Sequence, residues 1–196
     1  GGMMTTDDSE LAENLAILRL HGVSKDAWKR YSAEGFTPYD VLLPGFKLNM
    51  TDVQAALGLH QFEKIDHYHK IREKHFKAYN EEFANIPELT IPIEESHYKH
   101  ARHLYSFLVN TDALKITRNE FCAAMQAENV GCGIHFLALH LSSYYRNTFN
   151  FKRGDFPHAE YKSDRTLSIP LSPALTDEDV KDVITAVKKV VSYARK

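Results

Sequence analysis

Cysteine is scarce in this 196-residue chain, which contains only Cys122 and Cys132. Two cysteines cannot build a disulfide framework, and their spacing fits no common zinc pattern, so we expect two reduced, buried thiols. Long hydrophobic runs are missing as well, and the sequence shows no basic-then-apolar leader. From these observations we expect a cytoplasmic protein.

An excess of charge of either sign is also missing. The chain has 24 basic and 26 acidic residues, a net charge of −2, which argues against binding to nucleic acid or to a membrane surface. No phosphate-binding P-loop, internal repeat or low-complexity tract is present. Three histidines, His97, His100 and His103, straddle a predicted loop-to-strand transition, where their side chains do not converge, and we therefore expect no metal site.

Apolar residues make up 43% of the chain, which is enough for a real core. Residues 9–21 have the apolar spacing of an amphipathic helix, capped by Asp8 or Ser9. A short strand is predicted to end at Thr6. Because native chains seldom begin inside a strand, we expect the sequence to be part of a longer protein.

A helix with a capping box is predicted further along the chain, where Thr51 precedes Gln54 by three residues. No proline follows until Pro87, so the predicted helix spans residues 51–86. Its first half is apolar on nearly all sides and its second half on one side only. This pattern predicts a helix that bridges two domains, while a short helical turn is expected earlier, around residues 26–31.

Strands and helices alternate after Pro87, which predicts an α+β domain. Strands are expected at residues 89–92, 103–110 and 130–136. Helices are expected to begin at Thr117 and at Thr176, with short ones at 143–149 and 156–166. The predicted organisation is a domain remnant at 1–50, the bridging helix at 51–86 and a small domain at 87–196.

Two histidines stand out at the end of the predicted strand 130–136. His135 lies at that end and His140 in the loop beyond it, a position where binding residues concentrate. Tyr144 and Tyr145 follow and offer stacking or hydrogen bonding to a ligand. The alternative, that backbone carbonyls satisfy both histidines, is equally consistent with the pattern.

Lys47 and Asn49 directly precede the capped helix. A cation and an amide at a helix N-terminus suit an anion, because the free N–H groups and the helix dipole add to the side chains. Phosphate is the obvious ligand for such a site. An ordinary solvated loop is the alternative, and spacing alone favours it.

Several segments together resemble the DegT/DnrJ/EryC1/StrS aminotransferases, pyridoxal-phosphate (PLP) enzymes that aminate keto nucleotide-sugars. They are LRLHGVSKDAWKRY, PGFKLNMTDVQAALGLHQFEKID, the GIHF, LH and YY pieces, and SIPLSPALTDEDVKDVI. The likeness covers essentially all 196 residues, with the segments in the right order. The Lys-Leu-Asn loop is most similar to the members that make 4-amino-4-deoxy-arabinose for lipid A, which implies a role in lipopolysaccharide biosynthesis.

The resemblance implies the α/β type I fold of PLP-dependent transferases, with this chain covering the end of the large domain and the whole small α+β domain. It implies that the catalytic lysine lies upstream of Gly1, so that the chain alone is inactive. Lys47 and Asn49 then contact the PLP phosphate of the partner subunit in a homodimer, although most members have Asn-Tyr-Arg here.

On the substrate side, the resemblance implies that His135, Phe136, His140 and Tyr145 border the nucleotide-sugar, with glutamate as amino donor. His21 matches a position near the active site and has no assigned role. Two alternatives remain open: a PLP-dependent sugar dehydratase of the same fold, in which histidine replaces the lysine, and a non-catalytic regulatory or interaction fragment.

Overall fold

The computed structural model describes residues 2–24 and 39–196 and divides the chain into two compact units, residues 1–64 and 65–196. The helical turn predicted at residues 26–31 lies outside the described part. None of the helices in that part is long and apolar enough to cross a bilayer. The two units are considered separately below.

The first unit begins with helix α1, Ser9–Leu18, which Asp8 caps by accepting a hydrogen bond from the Leu11 N–H at 3.0 Å. The predicted cap is therefore confirmed. The strand predicted to end at Thr6 is wrong for this structure, because residues 2–7 form no strand pairing. Helix α1 also ends three residues earlier than predicted, since the next residues pair with a later loop.

Helix α2 spans Asp52–Phe62 and has the predicted capping box: Thr51 accepts from the Gln54 N–H, and Gln54 accepts from the Thr51 N–H. A single helix over 51–86 is not observed. The chain tightens into a turn, in which the Lys64 N–H donates to the Gln61 carbonyl at 3.1 Å. Helix α3 then begins at Ile65 and runs to Phe83.

The second unit is built on a three-stranded antiparallel sheet in the order β1-β2-β3, with strands Leu89–Thr90, Tyr105–Val109 and Thr166–Ile169. The strand predicted at 130–136 is wrong as a full strand. Only Gly133 pairs there, with Ser168 on the free edge of β3, through two backbone hydrogen bonds of 2.9 and 2.8 Å.

Helices α3, α4 (Arg118–Ala127) and α7 (Asp177–Ala194) form the core with this sheet. The inward faces of α3 and β2 are aromatic, and their rings contact one another edge to face or tilted. Helix α7 buries a stripe of valine and isoleucine side chains along one face. The largest fully buried side chains include Phe76, Tyr79, Phe83, Tyr105, Phe107 and Phe121.

A helical excursion leaves the core between Gly133 and β3. It contains a 3₁₀ turn, Leu139–Leu141, and helices α5 (Ser143–Phe149) and α6 (Pro157–Arg165). The two short helices predicted at 143–149 and 156–166 are thus confirmed. Proline at the first position of α6 is well placed, because it has no N–H to leave unsatisfied.

Candidate functional site

The loop of residues 45–50, directly before α2, is held by backbone hydrogen bonds to the segment after α1. The Phe46 N–H donates to the Leu18 carbonyl at 2.7 Å, and the Leu48 N–H donates to the Arg19 carbonyl at 2.9 Å. In the opposite direction, the His21 N–H donates to the Phe46 carbonyl at 2.8 Å. The 45–50 loop therefore has a fixed course, independent of its side chains.

Two glycines make this pairing possible. Gly22 has φ +71°, and a Cβ on it would lie 1.7 Å from the Leu43 carbonyl oxygen. A Cβ on Gly45 would lie 1.9 Å from the Gly22 nitrogen. No larger residue fits at either position without moving backbone, so Gly22 and Gly45 set the distance between the two segments.

Lys47 and Asn49 project from this loop with different surroundings. Lys47 is exposed, and within the described ranges no carboxylate pairs with it. Asn49 is half-buried, and its Oδ1 is buried without a hydrogen-bond partner. A buried amide oxygen without a partner is costly, so this side chain has hydrogen-bonding capacity that the protein itself does not use. A half-turn of the amide would present Nδ2 there as a donor.

Asn49 also lines an open groove of about 1140 Å³ within the first unit. Residues 2–6, α1 and α2 form its walls, which are mainly apolar. Arg19 is the one cationic side chain among its lining residues. The groove therefore places a cation and an unsatisfied amide along the same wall.

In the second unit, the imidazole of His135 lies over Gly133. A Cβ on Gly133 would be 2.6 Å from His135 Nε2 and 2.7 Å from Ser168 Oγ, so only glycine leaves room for the ring. His135 is half-buried, whereas the next side chain, Phe136, is 76% exposed. The peptide bond between these two residues is cis.

His140 is placed differently, because its side chain is buried. Its Nε2 lies 2.9 Å from Oε1 of Glu160 on α6, which is also buried. The ring packs against Phe156, with 4.8 Å between ring centroids. His140 is thus paired within the protein rather than open to solvent.

Tyr145 belongs to a row of aromatic rings that leads to His140. Its ring lies 5.9 Å from that of Phe149, which stacks on Phe151 at 5.7 Å, and Phe151 contacts the His140 ring. Tyr145 itself is half-buried, and Phe149 is 53% exposed. The row forms an aromatic surface on the same excursion as the exposed Phe136.

The structure therefore brings the predicted site residues together as two groups. Lys47 and Asn49 share the loop of the first unit, and the residues from His135 to Tyr145 share the excursion of the second. Within residues 2–24 and 39–196, no three metal-ligating side chains come together in one place, and the histidines at 97–103 form no such group.

Sequence reasoning missed the residues that hold these groups in place. The close approach of Gly22 and Gly45 depends on two segments that are distant in sequence. Glu160 and Ser163 of α6 hold the preceding part of the excursion, through His140 and the Ala138 N–H. Their helix is mostly polar, so its pattern does not indicate which carboxylate is buried.

The family model of the DegT/DnrJ/EryC1/StrS aminotransferases matches residues 1–188. This chain belongs to that family. Members use PLP, and a Streptococcus pneumoniae protein described as a sugar aminotransferase has been solved in its PLP form. The resemblance in the sequence, and with it the family's cofactor, are confirmed.

Curated relatives are similar over the whole chain. An uncharacterized protein of Methanocaldococcus jannaschii is 51% identical over 195 residues, 100% of this chain and 50% of the relative. The spore coat polysaccharide biosynthesis protein SpsC of Bacillus subtilis is 46% identical over 195 residues, 99% of this chain and 50% of SpsC. The chain therefore spans about half the length of these relatives.

Solved structures agree on the fold. The Streptococcus pneumoniae protein, in its PMP form, is 28% identical with a TM-score of 0.83, over 96% of this chain and 46% of the neighbour. PseC of Helicobacter pylori, an aminotransferase of pseudoaminic acid biosynthesis, is 23% identical with a TM-score of 0.80, over 96% of this chain and 48% of PseC. The neighbours have the type I fold of PLP enzymes, which confirms the predicted fold class.

Proposed function

We propose that the protein containing this chain is a PLP-dependent aminotransferase that transfers an amino group from glutamate to a keto nucleotide-sugar. The product would supply a surface polysaccharide, including the lipopolysaccharide that the Lys-Leu-Asn loop suggests. Family membership and the similarity to SpsC support the reaction class. Within this chain, the proposal is supported by the 45–50 loop. Backbone hydrogen bonds fix its course, and it presents Lys47, unpaired among the described residues, and the Asn49 amide.

Lys47 and Asn49 fit a phosphate group. The exposed lysine offers a point charge that no described carboxylate neutralises, and the Asn49 amide, turned over so that Nδ2 takes the place of the unpartnered Oδ1, offers a donor to a phosphate oxygen. We assign both to the PLP phosphate of the partner subunit in a homodimer. When bound, the cofactor supplies the electron sink for amino transfer, and this chain supplies its anchorage.

In this proposal the nucleotide-sugar is bound by His135, Phe136 and Tyr145. Phe136 and the aromatic row near Tyr145 offer faces for stacking, and His135 offers a ring nitrogen for hydrogen bonding. His140 is buried against Glu160 and contributes by holding the segment in shape. We place the reaction in the cytoplasm, on the strength of the family resemblance.

The test is the affinity of the complete dimer for PLP in a Lys47→Ala variant. A charge-assisted hydrogen bond contributes about 1.5–3 kcal/mol, so PLP should bind about ten- to a hundredfold more weakly while the fold is kept. Lys70→Ala, at an exposed lysine of α3, is the matched control and should leave the affinity unchanged.

Mixed dimers test whether the contact crosses between subunits. Pairing the Lys47→Ala chain with a chain that lacks the cofactor-binding lysine should restore one working site, because both defects then fall in the same site and the other site is intact. Unchanged PLP affinity in Lys47→Ala, or no restoration in the mixed dimer, would contradict the assignment.

A further inference from the structure

Helix α6 presents two buried polar side chains one turn apart, Glu160 and Ser163, which are 6% and 4% exposed. Both face residues 138–140, which lie between the candidate substrate residues Phe136 and Tyr145 in the same excursion. Ser163 Oγ accepts a hydrogen bond from the Ala138 N–H at 2.8 Å. Glu160 Oε1 lies 2.9 Å from His140 Nε2. Helix α6 thus contacts this segment at two points two residues apart.

Glu160 also fixes the far end of the same excursion. Its Oε1 accepts from the Gly154 N–H at 2.8 Å and from the Phe156 N–H at 3.4 Å, and Arg153 lies 3.7 Å from its Oε2. One carboxylate therefore joins the 3₁₀ turn at His140 to the loop before α6, around the aromatic row.

The carboxylate state fits these contacts. Burial opposes ionisation of Glu160, yet the hydrogen bonds from the Gly154 amide and from His140 outweigh it and hold the pKa of this carboxyl below its ordinary value. An ionised carboxylate only accepts hydrogen bonds, so His140 must donate through Nε2–H. The orientation of the His140 ring is thereby set by Glu160.

We propose that Glu160 is a positioning residue for the nucleotide-sugar site, acting through His140 and the 154–156 backbone to hold the Phe136 and Tyr145 surface in shape. The inference rests on the proposed function. It gives a reason for the buried carboxylate in this short helix, since the hydrogen bonds and the ion pair described for Glu160 join it to residues 140–156.

Amide hydrogen exchange in the complete protein tests, without any substrate, whether Glu160 holds the excursion in shape. Replacing Glu160 with alanine removes the acceptor of three hydrogen bonds, so exchange should rise across residues 136–141 and 150–156 and stay unchanged in α7. Glu88→Ala is the matched control: Glu88 is equally buried, is bonded to Arg195 at 2.6 and 3.0 Å, and lies away from the excursion. Unchanged exchange in the two segments would overturn the inference, whatever the enzyme's reaction.

Kinetics of the two half-reactions test the functional half. Glu160→Ala should raise the KM for the keto nucleotide-sugar at least about tenfold, the loss of one charge-assisted hydrogen bond, and leave the amino-donor half-reaction unchanged. Glu160→Gln keeps an acceptor oxygen and should recover most of the loss. A merely structural role would instead lower both half-reactions together, as Glu88→Ala should through a smaller folded fraction, and that result would overturn the inference.

Failure of the proposed function has a different signature. The wild-type protein would then aminate none of the keto nucleotide-sugars tested, while the exchange measurement would still decide whether Glu160 holds the excursion. If wild type is active and Glu160→Ala has the wild-type sugar KM, the positioning role alone is refuted.

Discussion

Replacing Gly45 with alanine should release the loop on which the cofactor assignment depends. The new Cβ would lie 1.9 Å from the Gly22 nitrogen and 2.4 Å from the His21 carbonyl carbon, both backbone atoms. Because backbone cannot rotate away like a flexible side chain, the two segments must separate. Separation breaks the hydrogen bonds that hold Phe46 and Leu48.

The size of the effect follows from those bonds. Three backbone hydrogen bonds of 2.7–2.9 Å, each contributing about 0.5–1.5 kcal/mol, join the loop to residues 18–21. The summed free energy of these three hydrogen bonds exceeds thermal energy, so the loop does not keep its course once they are broken. Lys47 and Asn49 then lose their fixed positions. PLP affinity should fall about ten- to a hundredfold, as in Lys47→Ala, although both side chains remain.

The assay is titration of the complete apo-protein with PLP, followed by absorbance, with thermal unfolding measured in parallel. Gly131→Ala is the matched control, because a Cβ there meets nothing within 4 Å and its φ is ordinary. It should behave as wild type in both measurements. If Gly45→Ala also kept wild-type PLP affinity, the argument that loop geometry places the phosphate contacts would be refuted.

Three further changes are expected to act at separate places. His135→Ala should raise the KM for the nucleotide-sugar with PLP affinity unchanged, and loss of cofactor instead would reverse the assignment. Gly133→Ala should have the same effect by displacing the His135 ring, and the double variant should be no worse than either single one. Arg195 lowers the pKa of Glu88 from its ordinary 4.5, so this pair stabilises the fold above that pH and less as pH falls through the lower folded-state value. Glu88→Gln should flatten the acid limb of unfolding followed by circular dichroism, and an unaltered limb would count against the pair.

Local signals in the sequence predicted much of the second unit. Helices begin at Thr117 and Thr176 as expected, and each start is a capping box that depends only on residues three apart. The stripe of α7 is buried because a one-sided apolar helix must find a partner. Tyr105 and Phe107 likewise lie on the buried face of β2, as strand alternation predicts.

Long-range pairing is what the sequence could not show. Residues 130–136 look like a strand, yet Ser168 lies opposite only Gly133, so a single bridge forms. The break between α2 and α3 falls at Glu63 and Lys64, where no proline or glycine indicates the end of a helix. For the candidate site, the place of Lys47 and Asn49 before a capped helix indicated an anion only as one of two alternatives, and the backbone pairing that fixes their loop could not be predicted.

Transfer of labelled nitrogen tests the central claim most directly. The complete protein, loaded with PLP, is incubated with ¹⁵N-glutamate and a panel of UDP- and dTDP-linked keto sugars, and the nucleotide-sugars are analysed by mass spectrometry. An aminotransferase places ¹⁵N on one sugar of the panel and forms 2-oxoglutarate in equal amount. A nucleotide-sugar product that carries no ¹⁵N and has lost the hydroxyl group beside the keto carbon would indicate the dehydratase of the same fold, and it would contradict the account.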